Sequence, residues 1–207
     1  MKCLIWLYKA FRTIWAVAYH KISTIHTQLI FAFNGIHFGK GLLSSGVPIV
    51  HISLNGLCEI GQKFCCGNWN KTSASGTNGK CKIEVRNGAV LKIGNNVGMT
   101  ATTVICHNQI TIMDNVMIGV GTHIYDTNFH NINPIERTAN GDPQDTVRTA
   151  PITIKKNAFI GAYCIILKGV TIGENSVIAA GAVVTKSIPD NQMWGGNPAI
   201  FIRKLNS

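Results

Sequence analysis

His130, in the segment DTNFH, carries an imidazole, the side-chain type best suited to taking a proton from a hydroxyl group at neutral pH. A neutral imidazole, with an ordinary pKa of about 6.5, is basic and largely unprotonated at neutral pH. Such a base needs an orienter. Asp126, four residues earlier, supplies a carboxylate that would fix the imidazole tautomer and stabilise the imidazolium. Asp126, Asn128 and His107 together form the candidate acceptor-binding group. The seven cysteines offer no comparable chemistry. Cys65 and Cys66 are adjacent, Cys3, Cys58, Cys81, Cys106 and Cys164 are isolated, and none shows the two-residue spacing of a zinc site. A reduced, cytoplasmic protein is expected.

The element that must position these residues announces itself as a repeat of six. Ile154, Ile160, Ile166, Ile172, Ile178 and Val184 are successive members. Ile93, Met99 and Ile105 continue, after a one-residue insertion, as Ile112, Ile118 and Ile124, and a weaker trace lies at Leu54 and Ile60. Asn96, Asn115, Asn157 and Asn175 recur three residues after the aliphatic, at corners where Gly and Asn adopt left-handed backbone most cheaply. A period of six matches neither a helix nor a hairpin meander. Short strands joined by tight corners, three to a coil, make a parallel β-helix with the aliphatics inside. One coil is three hexads, so His107 falls one coil below Asp126. Spacing alone leaves the hand of the coil open.

Three segments stand off this repeat. Residues 4 to 30 place Leu4, Leu7, Tyr8, Phe11, Ile14, Trp15, Ala18, Ile22, Ile25 and Leu29 on one helical stripe, with Lys2, Lys9, Arg12, Thr13, His20 and Ser23 opposite. No acidic residue precedes Glu59, whereas Lys2, Lys9, Arg12, Lys21 and Lys40 do. The stripe is expected to pack on the end of the β-helix or on a neighbouring subunit, with contact to an anionic membrane as the alternative. Lys9 and Arg12 interrupt the apolar region that a secretory leader requires, and no run approaches the roughly 18 apolar residues of a membrane span. Between Ile124 and Ile154 the ladder breaks at NPIERTANGDPQDTVRTAP, an inserted loop of a length more often functional than decorative. The expected division is an N-terminal amphipathic helix over 1–33, a β-helix over 34–190 with its loop at 126–151, and a tail over 191–207. That tail leaves the repeat at Pro189, turns at Gly195, Gly196, Asn197 and Pro198, and ends in a short basic helix.

The run IGAYCIILKGVTIGENSVIAAGAVVTKSIPDNQMWGGNPAIFIRKL, preceded by IYDTNFHNINPIER, resembles the hexapeptide-repeat acyltransferases, in particular the branch of galactoside, maltose and capsular-polysaccharide O-acetyltransferases. The resemblance covers roughly residues 50 to 207. It implies an all-β, left-handed parallel β-helix, a homotrimer with active sites between subunits, and acetyl-CoA as donor. It also implies that His130 is the general base, and that residues matching Ala162, Ala180, Thr185 and Lys186 line the pantetheine arm. Arg203 matches a basic residue near the nucleotide phosphates, and Phe159 stands where an aromatic flanks the site. Ile200 occupies a position that is often basic in those relatives, which leaves Lys204 as the substitute.

Composition agrees with a phosphorylated donor. Nineteen Lys and Arg against nine Asp and Glu give a net charge of +10, yet no aromatic-basic motif for nucleic acid accompanies it. Charged residues make up 14% of the chain, too few for a disordered one and low enough to favour assembly through packed surfaces. The expected activity is acetyl transfer from acetyl-CoA to a sugar hydroxyl, requiring no metal and serving polysaccharide synthesis. N-acetylation of an amino sugar and a non-catalytic β-helix subunit are the alternatives. The three-histidine zinc centre of the γ-class carbonic anhydrases fits poorly, because His107, His123 and His130 are spaced by 16 and 7 residues.

Overall fold

The six-residue period closes into a three-sided parallel β-helix, seen in a computed structural model whose described residues are 1–68, 79–138 and 142–206. The chain visits three sheets in turn. The first runs from His37–Phe38 to Thr171–Ile172 with six strands, and the third from Ile49–Ile52 to Val183–Val184 with six. The second begins at Leu43–Ser45 and has eight, the last being antiparallel. The parallel sheets and few helices fit the left-handed β-helix that the resemblance implies.

Register shows why the period is six. Ile60, Ile93, Ile112, Ile154 and Ile172 stack through the first sheet, and Met99, Ile118, Ile160 and Ile178 through the second. Ile83, Val104, Ile124, Ile166 and Val184 stack through the third. All of these are buried, and burying one such side chain is worth about 1.5–3 kcal/mol. One rung differs from expectation. Val104, rather than Ile105, pairs with Ile124, while Ile105 lies opposite Tyr125. Both are aliphatic, so period alone could not separate them.

The corners follow backbone chemistry. Asn96, Asn115, Asn157, Asn175 and Asn191 all have φ between 55° and 60°. Their side chains form a ladder, Nδ2 of each donating to Oδ1 of the next at 2.9–3.1 Å. Gly161 meets a different demand: a Cβ there would lie 2.5 Å from the backbone N of Ala180, one coil away. Asn157→Ala is therefore expected to destabilise the fold by about 1–2 kcal/mol, through left-handed strain and two lost rungs, and Asn157→Gly by less. Denaturant unfolding of the two variants measures the difference.

Helix α1 (Lys2–Phe33) stands at one end. Its last turns supply the lid of the first coil: Phe31 is fully buried, 5.9 Å from the ring of Phe38 and 6.4 Å from that of Phe64. Thr24 Oγ1 accepts the backbone N–H of Ser44 at 3.0 Å. The expectation that the apolar stripe packs on the β-helix end is corrected here. The buried residues of α1 are Ser23, Thr27 and Phe31, on the opposite side, because the β-helix end offers the Ser44 backbone for hydrogen bonding and the rings of Phe38 and Phe64 for packing. At the other end the expected C-terminal helix is also corrected. Ile200–Lys204 is a strand, antiparallel to Gln192–Gly195. β-Branched Ile200 and Ile202 favour extended chain, and pairing satisfies backbone groups that a five-residue helix would leave open.

Candidate active site

His130 lies at the root of the loop that leaves the third sheet after His123–Tyr125 and rejoins the first at Ile152–Ile154. The root is a short pinch. Thr127 bridges Thr149, Asn128 N–H donates to Arg148 O at 3.1 Å, and Ala150 N–H to Asp126 O at 3.0 Å. Phe129 then takes φ 64°, costly for a bulky residue, and its N–H donates to Thr127 Oγ1 at 3.1 Å. This turn sends His130 outward, its side chain 70% exposed. Beyond it, Asn133 Oδ1 accepts the N–H of Ile135 and caps α2 (Pro134–Thr138), which opens on Pro134 as short helices favour.

The carboxylate that meets His130 is that of Asp142, a residue from the far side of the loop. Its Oδ2 lies 2.6 Å from His130 Nδ1, while its Oδ1 accepts both the backbone N–H and the Nδ2 of Asn131, at 3.1 and 3.0 Å. Asn131 is buried, and its Nδ2 also reaches Thr146 Oγ1 at 2.9 Å. The backbone amide of Asn131, then the hydrogen bond to His130, hold the Asp142 carboxyl below the usual carboxylate range. An ionised carboxylate only accepts, so Nδ1 carries the hydrogen and Nε2 keeps the lone pair.

Asp126, expected in that role, does something else. It is fully buried, and its two oxygens accept the backbone N–H groups of His107 and Asn108 at 2.7 and 2.8 Å. A carboxylate there ties one coil to the next beneath the loop and does not reach the imidazole. His107 does lie one coil below Asp126, as the hexad count requires. Its Nε2 is buried without a hydrogen-bond partner, and its ring meets Phe129 edge-on at 5.9 Å. Burial, and then the Arg86 charge, lower the His107 pKa, so the ring is neutral. Phe129 also contacts Tyr125 at 5.0 Å, and Tyr125 Oη lies 2.7 Å from His123 Nδ1. His107, Phe129, Tyr125 and His123 thus form an aromatic wall beneath the loop root. Among the described residues, no group of three His, Cys, Asp or Glu side chains is placed to hold a metal ion.

The other expected site residues spread over the chain. Thr185 and Lys186 are exposed just beyond the third-sheet strand Val183–Val184, two strands along that sheet from His123–Tyr125. Ala162 and Ala180 occupy the preceding corner, one coil apart, where Gly181 N–H donates to Ala162 O at 2.8 Å. Phe159 is a half-exposed residue of the second sheet, and Arg203 and Lys204 lie exposed on its last strand. His130, Asp126, His107 and Asn128 therefore cluster at one corner of the β-helix, and the second-sheet residues do not join them. Asp142 was missing from the sequence reading. Its only signal there was a place in the Asp- and Gly-rich insertion.

Comparison with known proteins matches residues 151–186 to the bacterial transferase hexapeptide family, described as six repeats. The galactoside O-acetyltransferase of Escherichia coli is 40% identical over 104 residues, covering 50% of this chain and 48% of that protein. The chain spans about half the length of the curated relatives it matches. The solved structure of a galactoside acetyltransferase in complex with coenzyme A is similar at 30% identity, covering 82% of this chain and 66% of that one, with a TM-score of 0.50. An N-acyltransferase from Bacillus cereus, solved with dTDP-4-amino-4,6-dideoxyglucose and coenzyme A, shares the fold at a TM-score of 0.68 and 21% identity, over 87% of this chain and 90% of that one.

Proposed function

We propose, for a chain that carries the bacterial transferase hexapeptide repeat, that it transfers an acetyl group from acetyl-CoA to a sugar hydroxyl. The observation that carries this reading is the His130–Asp142 pair at the loop root, 2.6 Å apart, with Nε2 free of that bond and turned out of the β-helix. His130 Nε2 takes the hydroxyl proton as the oxygen attacks the thioester carbonyl. The tetrahedral intermediate then collapses with cleavage of the C–S bond. The thiolate of CoA leaves and recovers the proton from the imidazolium, whose charge Asp142 balances meanwhile. Asn128 and the wall of His107 and Phe129 stand on the acceptor side.

The donor side of this reading rests on the resemblance. Ala162 and Ala180 leave room for the pantetheine arm, Thr185 and Lys186 flank it, and Arg203 with Lys204 meets the phosphates. Phe159 shields the thioester. Because Phe159, Arg203 and Lys204 on the second sheet do not converge with His130 within one chain, the reading calls for a homotrimer with each site shared by two copies. A cytoplasmic role in polysaccharide synthesis follows from the same reading.

The function is tested by a screen of hexose and amino-sugar acceptors for CoA release, with wild-type protein and its His130→Ala variant side by side. Acceptor-dependent release that the variant lacks supports it. Release only with amines would make the enzyme an N-acetyltransferase. Lys186→Ala combined with Arg203→Ala is expected to raise KM for acetyl-CoA about tenfold or more and to leave KM for the acceptor nearly unchanged. Equal changes in both constants would remove these cations from the donor site.

A further inference from the structure

Helix α1 is 32 residues long, or about 48 Å, yet its buried residues are confined to the stretch from Ser23 to Phe31. The first twenty-two residues carry no buried side chain, and they hold Leu4, Leu7, Phe11, Ile14, Trp15 and Ile22, each more than half exposed. These residues form one stripe, on the side of the helix away from Ser23 and Thr27 and so away from the β-helix. An apolar face of this size on water is a docking surface.

Charge selects what docks there. The helix carries Lys2, Lys9, Arg12 and Lys21 and no acidic residue at all. Packed stripe to stripe with a second copy, the helix would leave Lys2, Lys9 and Arg12 on its outer face with no carboxylate on either helix to answer them. A surface of anionic lipid answers every one. Trp6, Tyr8, Trp15 and Tyr19 add the aromatic rings that favour the headgroup boundary. The helix does not cross the bilayer, since no helix among the described residues is long and apolar enough to do so. We infer that α1 lies in the plane of an anionic membrane surface, its apolar stripe in the acyl boundary and its cations among the headgroups, and holds the β-helix against that surface.

The test is sedimentation of the full chain with vesicles of phosphatidylcholine alone and with about 30 mol% phosphatidylglycerol, which supplies the anionic surface. Binding is expected with the anionic vesicles, to weaken at least tenfold between low and high salt, and to shift tryptophan fluorescence to the blue. Phe11→Glu with Ile14→Glu should abolish it, and replacing Lys2, Lys9, Arg12 and Lys21 by Gln should weaken it about fivefold per charge. All these side chains are exposed, so both variants should keep the wild-type melting temperature and assembly mass. Absence of anionic-vesicle binding by the wild type would overturn the inference. So would a Phe11→Glu, Ile14→Glu variant that dissociates into smaller species, which would show that a second copy covers the stripe.

Discussion

His130→Ala is expected to lower kcat by roughly 10²- to 10⁴-fold, the usual worth of a positioned general base, while KM for acetyl-CoA stays close to its wild-type value. The side chain is 70% exposed and its polar contact is the one to Asp142, so its removal should change the unfolding free energy by no more than about 0.5 kcal/mol. The assay is steady-state turnover with saturating acetyl-CoA. Wild-type kcat in this variant would remove the proposed mechanism, since no other imidazole at the corner is presented to solvent in the same way. His107 has its Nε2 buried and His123 has its Nδ1 engaged by Tyr125.

Asp142→Asn should fall nearly as far, by about 10²-fold or more in kcat, because the amide neither balances the imidazolium nor enforces hydrogen on Nδ1. Asp126→Ala separates the two acids. It leaves the backbone N–H groups of His107 and Asn108 without their acceptor, at about 1–3 kcal/mol each, so its effect should appear first in thermal or denaturant unfolding. The pH profile carries the same distinction. A carboxyl whose pKa is depressed in the fold contributes its interaction above the ordinary carboxylate value and loses it only as pH falls through the lower, folded value. Asp142 therefore stays ionised throughout the range in which an imidazole gains its proton. The acid limb of kcat should show one inflection down to about pH 4. A second inflection above that value in the wild type, lost in Asp142→Asn, would show that Asp142 itself takes up a proton there.

What could be read from the chain without its fold was whatever a local pattern repeats. The hexad of Ile154, Ile160 and Ile166 is legible because each member meets the same interior, and Asn157 and Asn175 because each corner demands the same left-handed backbone. His130 was singled out by its imidazole and by the resemblance that the DTNFH segment carries. Groupings that depend on which chain segments return to one another were not. The partner of His130 is twelve residues away, across a loop with no period, whereas the carboxylate four residues away turns inward because two amides one coil below attract it. The amphipathic stripe of α1 was written in the sequence, but its direction was not. A 3.6-residue period states that one face is apolar, and only the docking of Thr24, Thr27 and Phe31 on the first coil decides that this face looks outward.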